Sequence, residues 1–111
     1  MGLSAERVAK NDLAFKDAND RIRGAAAGHG IAERVPFICE CADSGCTQIL
    51  QLSLAEYEMI RTHARRFLHA VGHYTGEHEM VVEEKPGYTV VEKVGRAGEI
   101  VEEIDSDARR S

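Results

Sequence analysis

Three cysteines lie close together in the stretch FICECADSGC, and their side chains are the best suited to chemistry in this chain. Cys39, Cys41 and Cys46 have the spacing C-x-C-x4-C. Side chains at alternate positions of a strand point to the same face, so Cys39 and Cys41 can present two sulfurs to one ion. The turn-forming residues 43–45 can then fold Cys46 back beside them. This pattern predicts a metal site with three sulfur ligands.

A structural zinc site is tetrahedral, so three thiolates need a fourth ligand. The chain has five histidines, and we expect His73 to be that ligand because it follows Gly72 in a loop that returns to the sheet. His69 is the second candidate and His78 is the third. The predicted cofactor is zinc, and its predicted ligands are Cys39, Cys41, Cys46 and His73.

Other chemistries of clustered thiols remain open at this point. Small buried cysteines can simply fill a core, and a cysteine–histidine pair can act as a nucleophile. The C-x-x-C spacing of thioredoxin-type redox sites is absent, and the cysteine spacing matches none of the ferredoxin patterns. Glu40, between two predicted ligands, is expected on the opposite face of the strand and in contact with solvent; the alternative is that its carboxylate supports the ligands through hydrogen bonds.

A zinc ion with four protein ligands has no open position at which to activate water. We therefore expect a small non-enzymatic protein, in which zinc stabilises a domain used for protein interaction or regulation. Two other functions are compatible with the sequence. One is a thiol- or zinc-responsive regulatory switch, and the other is a small zinc-dependent hydrolase in which water takes one ligand position. The sequence does not identify the protein partner.

The composition is that of one small acidic domain. The chain has 111 residues, a formal net charge of −5 and only 5% aromatic residues, so a mainly aliphatic core is expected. The acidic balance argues against nucleic-acid binding, which needs clustered lysine and arginine. No apolar segment is long enough to span a bilayer, and the first residues lack a signal-peptide core. We expect a cytoplasmic location without a membrane, where reducing conditions favour metal binding over disulfides.

The elements that would position these residues begin with a helix. Ser4 is expected to cap it and Ala27 to lie near its end, while Val8, Phe15 and Ile22 form a narrow apolar stripe. The stripe can pack on the domain's own sheet or mediate a homodimer. We assign residues 1–30 to this helix, residues 31–98 to a zinc-binding α+β domain and residues 99–111 to an acidic, frayed tail.

We expect an α+β fold with an antiparallel sheet of about four strands, built from two hairpins, and one further helix packed on the sheet. The first hairpin pairs residues 37–42 with 47–52, and the second turns at Pro86-Gly87, which suits a type II turn. Between them, Ser53 and Glu56 have the capping-box spacing of a helix start. This helix is expected to end near Arg66, and an irregular segment follows it.

Several stretches of the chain resemble a group of short, largely uncharacterised proteins common in actinobacteria. The matching stretches cover most of the chain and read ANDRI, FICECADSGCTQILQLSLAEYEMIR, FLHAVGH and EMVVEEKPGYTVVEKVGRAGEIVEE. The group shares a C-E-C-x4-C segment and a downstream G-H dipeptide, which correspond here to Cys39, Cys41, Cys46 and His73. The resemblance implies that His73 is the fourth ligand, and it implies no activity.

Overall fold

The computed structural model describes residues 4–43, 45–73 and 76–110. Residues 1–3 of the predicted N-terminal unit and residue 111 of the predicted tail lie outside this part. Within it the order of elements is α1 (Ala5–Gly28), β1 (Val35–Ile38), β2 (Ile49–Leu52), α2 (Leu54–Arg61), β3 (Arg66–His69), β4 (Glu79–Lys85), β5 (Tyr88–Lys93) and α3 (Gly95–Arg110). The predicted α+β class is confirmed. The single four-stranded sheet is wrong, because the strands form two antiparallel sheets, β1–β2 and β3–β5–β4.

The first helix, α1, begins where the sequence places it. The Ser4 side-chain oxygen accepts a hydrogen bond from the Arg7 N–H at 3.2 Å, which satisfies one of the free N–H groups of the first turn. Of the three stripe residues, Val8 is fully buried, whereas Phe15 and Ile22 are partly buried. The helix packs within the chain, against β1, α2 and α3. Self-association through the stripe stays a prediction.

The β1–β2 hairpin is shorter than predicted, and the cysteines lie beyond its strands. Its last ladder pair joins Ile38 to Ile49. The chain then leaves β2, because the Glu40 N–H donates to the Leu68 carbonyl of β3 at 2.7 Å. The segment that follows β1 therefore ends one sheet and attaches to the other.

The second helix, α2, begins with the predicted capping box but ends early. The Ser53 hydroxyl accepts from the Glu56 N–H at 3.1 Å, and the Glu56 carboxylate accepts from the Ser53 N–H at 2.9 Å. The helix stops at Arg61, and at Arg66, its predicted end, β3 begins instead. The irregular segment expected after the helix is wrong for residues 67–69, because β3 pairs with β5 along its length. Short apolar runs are ambiguous between helix and strand, and pairing with β5 decides here.

The second predicted hairpin is present as β4 and β5. The two strands pair from Glu79 and Lys93 to Lys85 and Tyr88. At the turn, Gly87 has φ of +91°, the left-handed conformation that a type II turn requires at this position. The other edge of β5 is covered by β3, which gives the sheet its third strand.

The acidic C-terminal segment forms the helix α3, where a frayed tail was expected over residues 99–111. Ala97, Ile100 and Val101 are buried on its inner face, and their i, i+3, i+4 spacing is that of an amphipathic helix. The many acidic residues of the outer face concealed this pattern. Gly98 permits close packing, because a Cβ there would lie 2.7 Å from a backbone carbonyl oxygen of β5.

The three-stranded sheet is covered on both faces by buried side chains. One cluster includes Leu68 and Val90 together with the β1–β2 hairpin, α2, Cys39 and Cys41. The other cluster includes Phe67 of β3 with residues of α1, β5 and α3. The first two cysteines therefore belong to the larger core. Among the described residues, no helix is long and apolar enough to cross a membrane.

Candidate metal centre

A tight turn brings Cys46 back to the segment that follows β1. The Asp43 side chain accepts from the Gly45 N–H at 2.9 Å, and the Asp43 carbonyl accepts from the Cys46 N–H at 3.0 Å. Aspartate and glycine favour such turns because one bonds the local backbone and the other tolerates unusual dihedral angles. The middle residue of the predicted turn, Ser44, lies outside the described residues.

His73 approaches the sulfurs from the loop that follows β3. Its N–H donates to the Ala70 carbonyl at 3.0 Å, and Gly72 before it has φ of +82°, a conformation that glycine adopts without steric cost. The His73 Nδ1 atom lies 3.8 Å from the Cys39 sulfur and 3.6 Å from the Cys46 sulfur. The loop thus directs the imidazole toward the thiols.

The four predicted ligands come together in the structure. The sulfurs of Cys39, Cys41 and Cys46 and one ring nitrogen of His73 lie within 4.8 Å of one another. Zinc bonds of about 2.3 Å to sulfur and about 2.0 Å to nitrogen give a tetrahedron whose sulfur–nitrogen edges are about 3.6 Å. The observed separations of 3.6 and 3.8 Å match such edges. The arrangement can hold one metal ion.

The cluster has a buried side and a side nearer to solvent. Cys39 and Cys41 are only 1% and 4% exposed, whereas Cys46 and His73 are not fully buried. The Ala70 N–H donates to the Cys39 sulfur at 3.1 Å, and such a bond stabilises a thiolate where water is excluded. Access to the cluster is therefore from the side of Cys46 and His73.

The three thiols hold their protons unequally. A hydrogen bond from the Cys39 thiol stabilises the Cys41 thiolate and lowers the pKa of Cys41 to about 5. The same bond, together with burial, raises the pKa of Cys39, and burial raises the pKa of Cys46. Since metals bind the thiolate form, metal binding must displace the protons of Cys39 and Cys46.

Glu40, expected in contact with solvent, is fully buried. One carboxylate oxygen accepts from the Tyr57 hydroxyl at 2.6 Å and from the Asn19 amide at 2.9 Å. The other accepts from the Leu68 N–H at 2.9 Å and from Arg61 Nη2 at 3.3 Å. A buried carboxylate needs such partners for its lone pairs. The expectation is wrong because β1 ends before this residue, so the alternation of strand faces does not apply.

Tyr57 and Arg61 hold the Glu40 carboxylate from α2. Burial, with a contribution from the carboxylate, raises the pKa of Tyr57, so its hydroxyl remains a hydrogen-bond donor. The Tyr57 ring stacks on Phe37 at a centroid distance of 4.2 Å. The Arg61 guanidinium lies over the rings of Tyr57 and Phe67, at 5.5 and 5.1 Å. The ion pair between Glu40 and Arg61 is thus enclosed by aromatic side chains and has a fixed geometry.

A second polar cluster lies beside the cysteine centre. Its four members, each at most 3% exposed, are Asp12, His69, Glu79 and Lys93. The His69 ring nitrogens lie 3.4 Å from the Glu79 carboxylate and 3.9 Å from the Asp12 carboxylate. The Lys93 ammonium contacts both carboxylates. Asp12, His69 and Glu79 are close enough to hold a metal ion, but Lys93 already supplies the positive charge there.

The structure brings His73 to the sulfurs and places the other two candidate histidines elsewhere. The His69 ring nitrogens face the carbonyl oxygens of His73 and Glu40, the latter at 3.0 Å. His78 lies 3.8 Å from the Glu77 carboxylate. Neither His69 nor His78 belongs to the cysteine cluster found among the described residues.

Sequence reasoning missed the buried polar residues of α1 that reach this region. Asp12 and Asn19 are fully buried. They alternate with the apolar stripe residues Val8, Phe15 and Ile22 at spacings of three and four. This spacing places all of these residues on the inward-facing side of the helix. Polar residues within an apolar stripe are the signal that identifies them.

Comparison of the chain with protein-family models, curated proteins and solved structures found no match. The resemblance to the actinobacterial group therefore stays a prediction.

Glu40→Gln keeps the shape of the side chain but removes the charge that Arg61 pairs with. We expect the free energy of unfolding to fall by about 3 kcal/mol, because a buried charge is left without its partner. Urea denaturation at a fixed zinc concentration measures this. Glu58→Gln is the control, because Glu58 forms an exposed pair with Arg23 and should change stability by less than about 1 kcal/mol. Equal effects of the two substitutions would contradict the role given to Glu40.

Proposed function

We propose that this protein is a small non-enzymatic zinc-binding protein, and that its Cys39–Cys41–Cys46–His73 centre stabilises a domain used for protein interaction or regulation. The observation that supports this proposal most directly is the grouping of the four ligand atoms within 4.8 Å. Thiolates and an imidazole form a donor set that suits zinc.

A structural role agrees with the positions of the ligands along the chain. Three ligands lie in the segment between β1 and β2, and the fourth follows β3 in the other sheet. An ion bound to all four would cross-link the two sheets. Small domains gain much from such a link, because their apolar cores are limited.

The same ligand set argues against hydrolysis. Catalytic zinc sites keep one coordination position for water, whereas structural sites fill all four with protein atoms. Here four protein ligand atoms lie within 4.8 Å of one another. A hydrolase would require one of them, most simply His73 at the open side, to give way to water.

The partner class follows from charge. A net charge of −5 favours a protein partner over nucleic acid, whose phosphates repel an acidic chain. A cytoplasmic location and a homodimer through α1 remain part of the same proposal.

The alternative role, a thiol- or zinc-responsive switch, is favoured by one observation. Cys46 is less buried than Cys39 and Cys41, so an oxidant reaches its sulfur first. Oxidation of one ligand would weaken metal binding. Release of zinc by peroxide distinguishes this role from a purely structural one.

The purified protein should contain one zinc ion per chain, and removal of the ion should lower its melting temperature. Ligands that are dispersed in the unfolded chain couple metal binding to folding. Elemental analysis, thiol titration before and after chelation, and thermal denaturation measure the two effects. An unchanged melting curve in metal-free protein would exclude a structural role.

His73→Ala should weaken zinc binding and open the site to water, because it removes a ligand from the exposed side. We expect the loss of affinity to exceed the roughly 10–100-fold that loss of a ligand's hydrogen-bond partner costs. Chelator competition measures the affinity, and cobalt(II) substitution reports the change of ligands. His63→Ala, at an exposed position after α2, is the matched control. Wild-type affinity in His73→Ala, with loss in His78→Ala, would show that the fourth ligand is misassigned.

A further inference from the structure

The buried amide of Asn19 connects α1 to the segment that carries the metal ligands. Its Nδ2 group donates to the Ile38 carbonyl at 2.8 Å and to the Glu40 carboxylate at 2.9 Å. Its Oδ1 atom accepts from the Ile38 N–H at 2.8 Å. All three bonds therefore end at the residues on either side of Cys39.

A second side chain of α1 forms a hydrogen bond with the same segment, at the end that follows Cys41. The Asn11 amide donates to the Ala42 carbonyl at 2.6 Å. Asn11 and Asn19 thus hold the backbone immediately before and immediately after the two buried cysteines. Packing alone would be served by apolar residues at these positions, whereas two amides fix the backbone in one place.

We propose that docking of α1 and metal binding at the cysteine centre are thermodynamically coupled, with Asn19 and Asn11 as the positioning residues. This inference rests on the proposed function. If docked α1 holds Cys39 and Cys41 ready for the ion, docking raises metal affinity. Linkage then requires that the bound metal favours docking by the same free energy. Loss of the metal therefore weakens the docking of α1 by that free energy.

Each buried charge of the remaining structure keeps a partner of opposite charge when α1 leaves. The Glu40 carboxylate retains Tyr57, Arg61 and the Leu68 N–H. Lys93 loses Asp12 but retains Glu79. Release of α1 therefore leaves neither buried charge without an opposite charge, which favours separation of α1 before the rest of the domain unfolds.

Asn19→Ala tests the coupling through zinc affinity, measured by chelator competition. We expect affinity to fall by about 10–100-fold, with the cobalt(II) spectrum unchanged because no ligand is altered. Arg21→Ala, at an exposed position of α1, controls for the helix. Val91→Ala, fully buried in β5, controls for general loss of stability. Affinity in Asn19→Ala equal to that of either control would overturn the inference.

Hydrogen exchange tests whether loss of the metal weakens the docking of α1 in the wild-type protein. On chelation, the amides of α1 should lose protection before those of β5, and zinc should restore both. Simultaneous loss in α1 and β5 would overturn the inference, because the metal would then hold the whole domain. A wild-type protein that binds no zinc at all would instead refute the proposed function on which the inference rests. Zinc binding with unaltered α1 exchange on chelation would refute the inference alone.

Discussion

The carboxylate of Glu40 lies where both sheets and two helices meet, and the placement of the cysteine–histidine cluster depends on how it is held. Its side chain accepts bonds from α1, α2 and β3. Its backbone N–H and carbonyl bond to Leu68 and His69 of β3. Because Cys39 and Cys41 are its immediate neighbours, fixing Glu40 fixes the backbone from which both sulfurs project. A change in the segment that contains Cys39 and Cys41 therefore also changes the hydrogen bonds that α1, α2 and β3 make with this carboxylate.

Buried charge in this chain is paired locally rather than avoided. Glu40 pairs with Arg61, and Lys93 lies against two carboxylates, those of Asp12 and Glu79. Buried ion pairs add little net stability compared with apolar residues, but they tolerate few alternative arrangements of their neighbours. In a domain with few aromatic residues, these networks set the positions of the elements, and a cross-linking ion would add the stability that the small core lacks.

Local signals in the sequence were sufficient for some elements and for the ligand cluster. The Ser4 cap, the Ser53 capping box and the Pro86-Gly87 turn depend on residues a few positions apart, and all are present. The close cysteine spacing likewise brings the sulfurs together. β3, the division into two sheets and the burial of Glu40 depend on contacts between distant residues. The residues adjacent in sequence to β3 and to Glu40 do not specify these long-range contacts.

The central claim is that Cys39, Cys41, Cys46 and His73 form one tetrahedral zinc site. X-ray absorption spectroscopy at the zinc edge of the purified protein tests it most directly. We expect three sulfur atoms at about 2.3 Å and one nitrogen at about 2.0 Å, with imidazole scattering from a single histidine. Coordination by two or fewer sulfurs, or by oxygen in place of the nitrogen, would contradict the proposed structural centre.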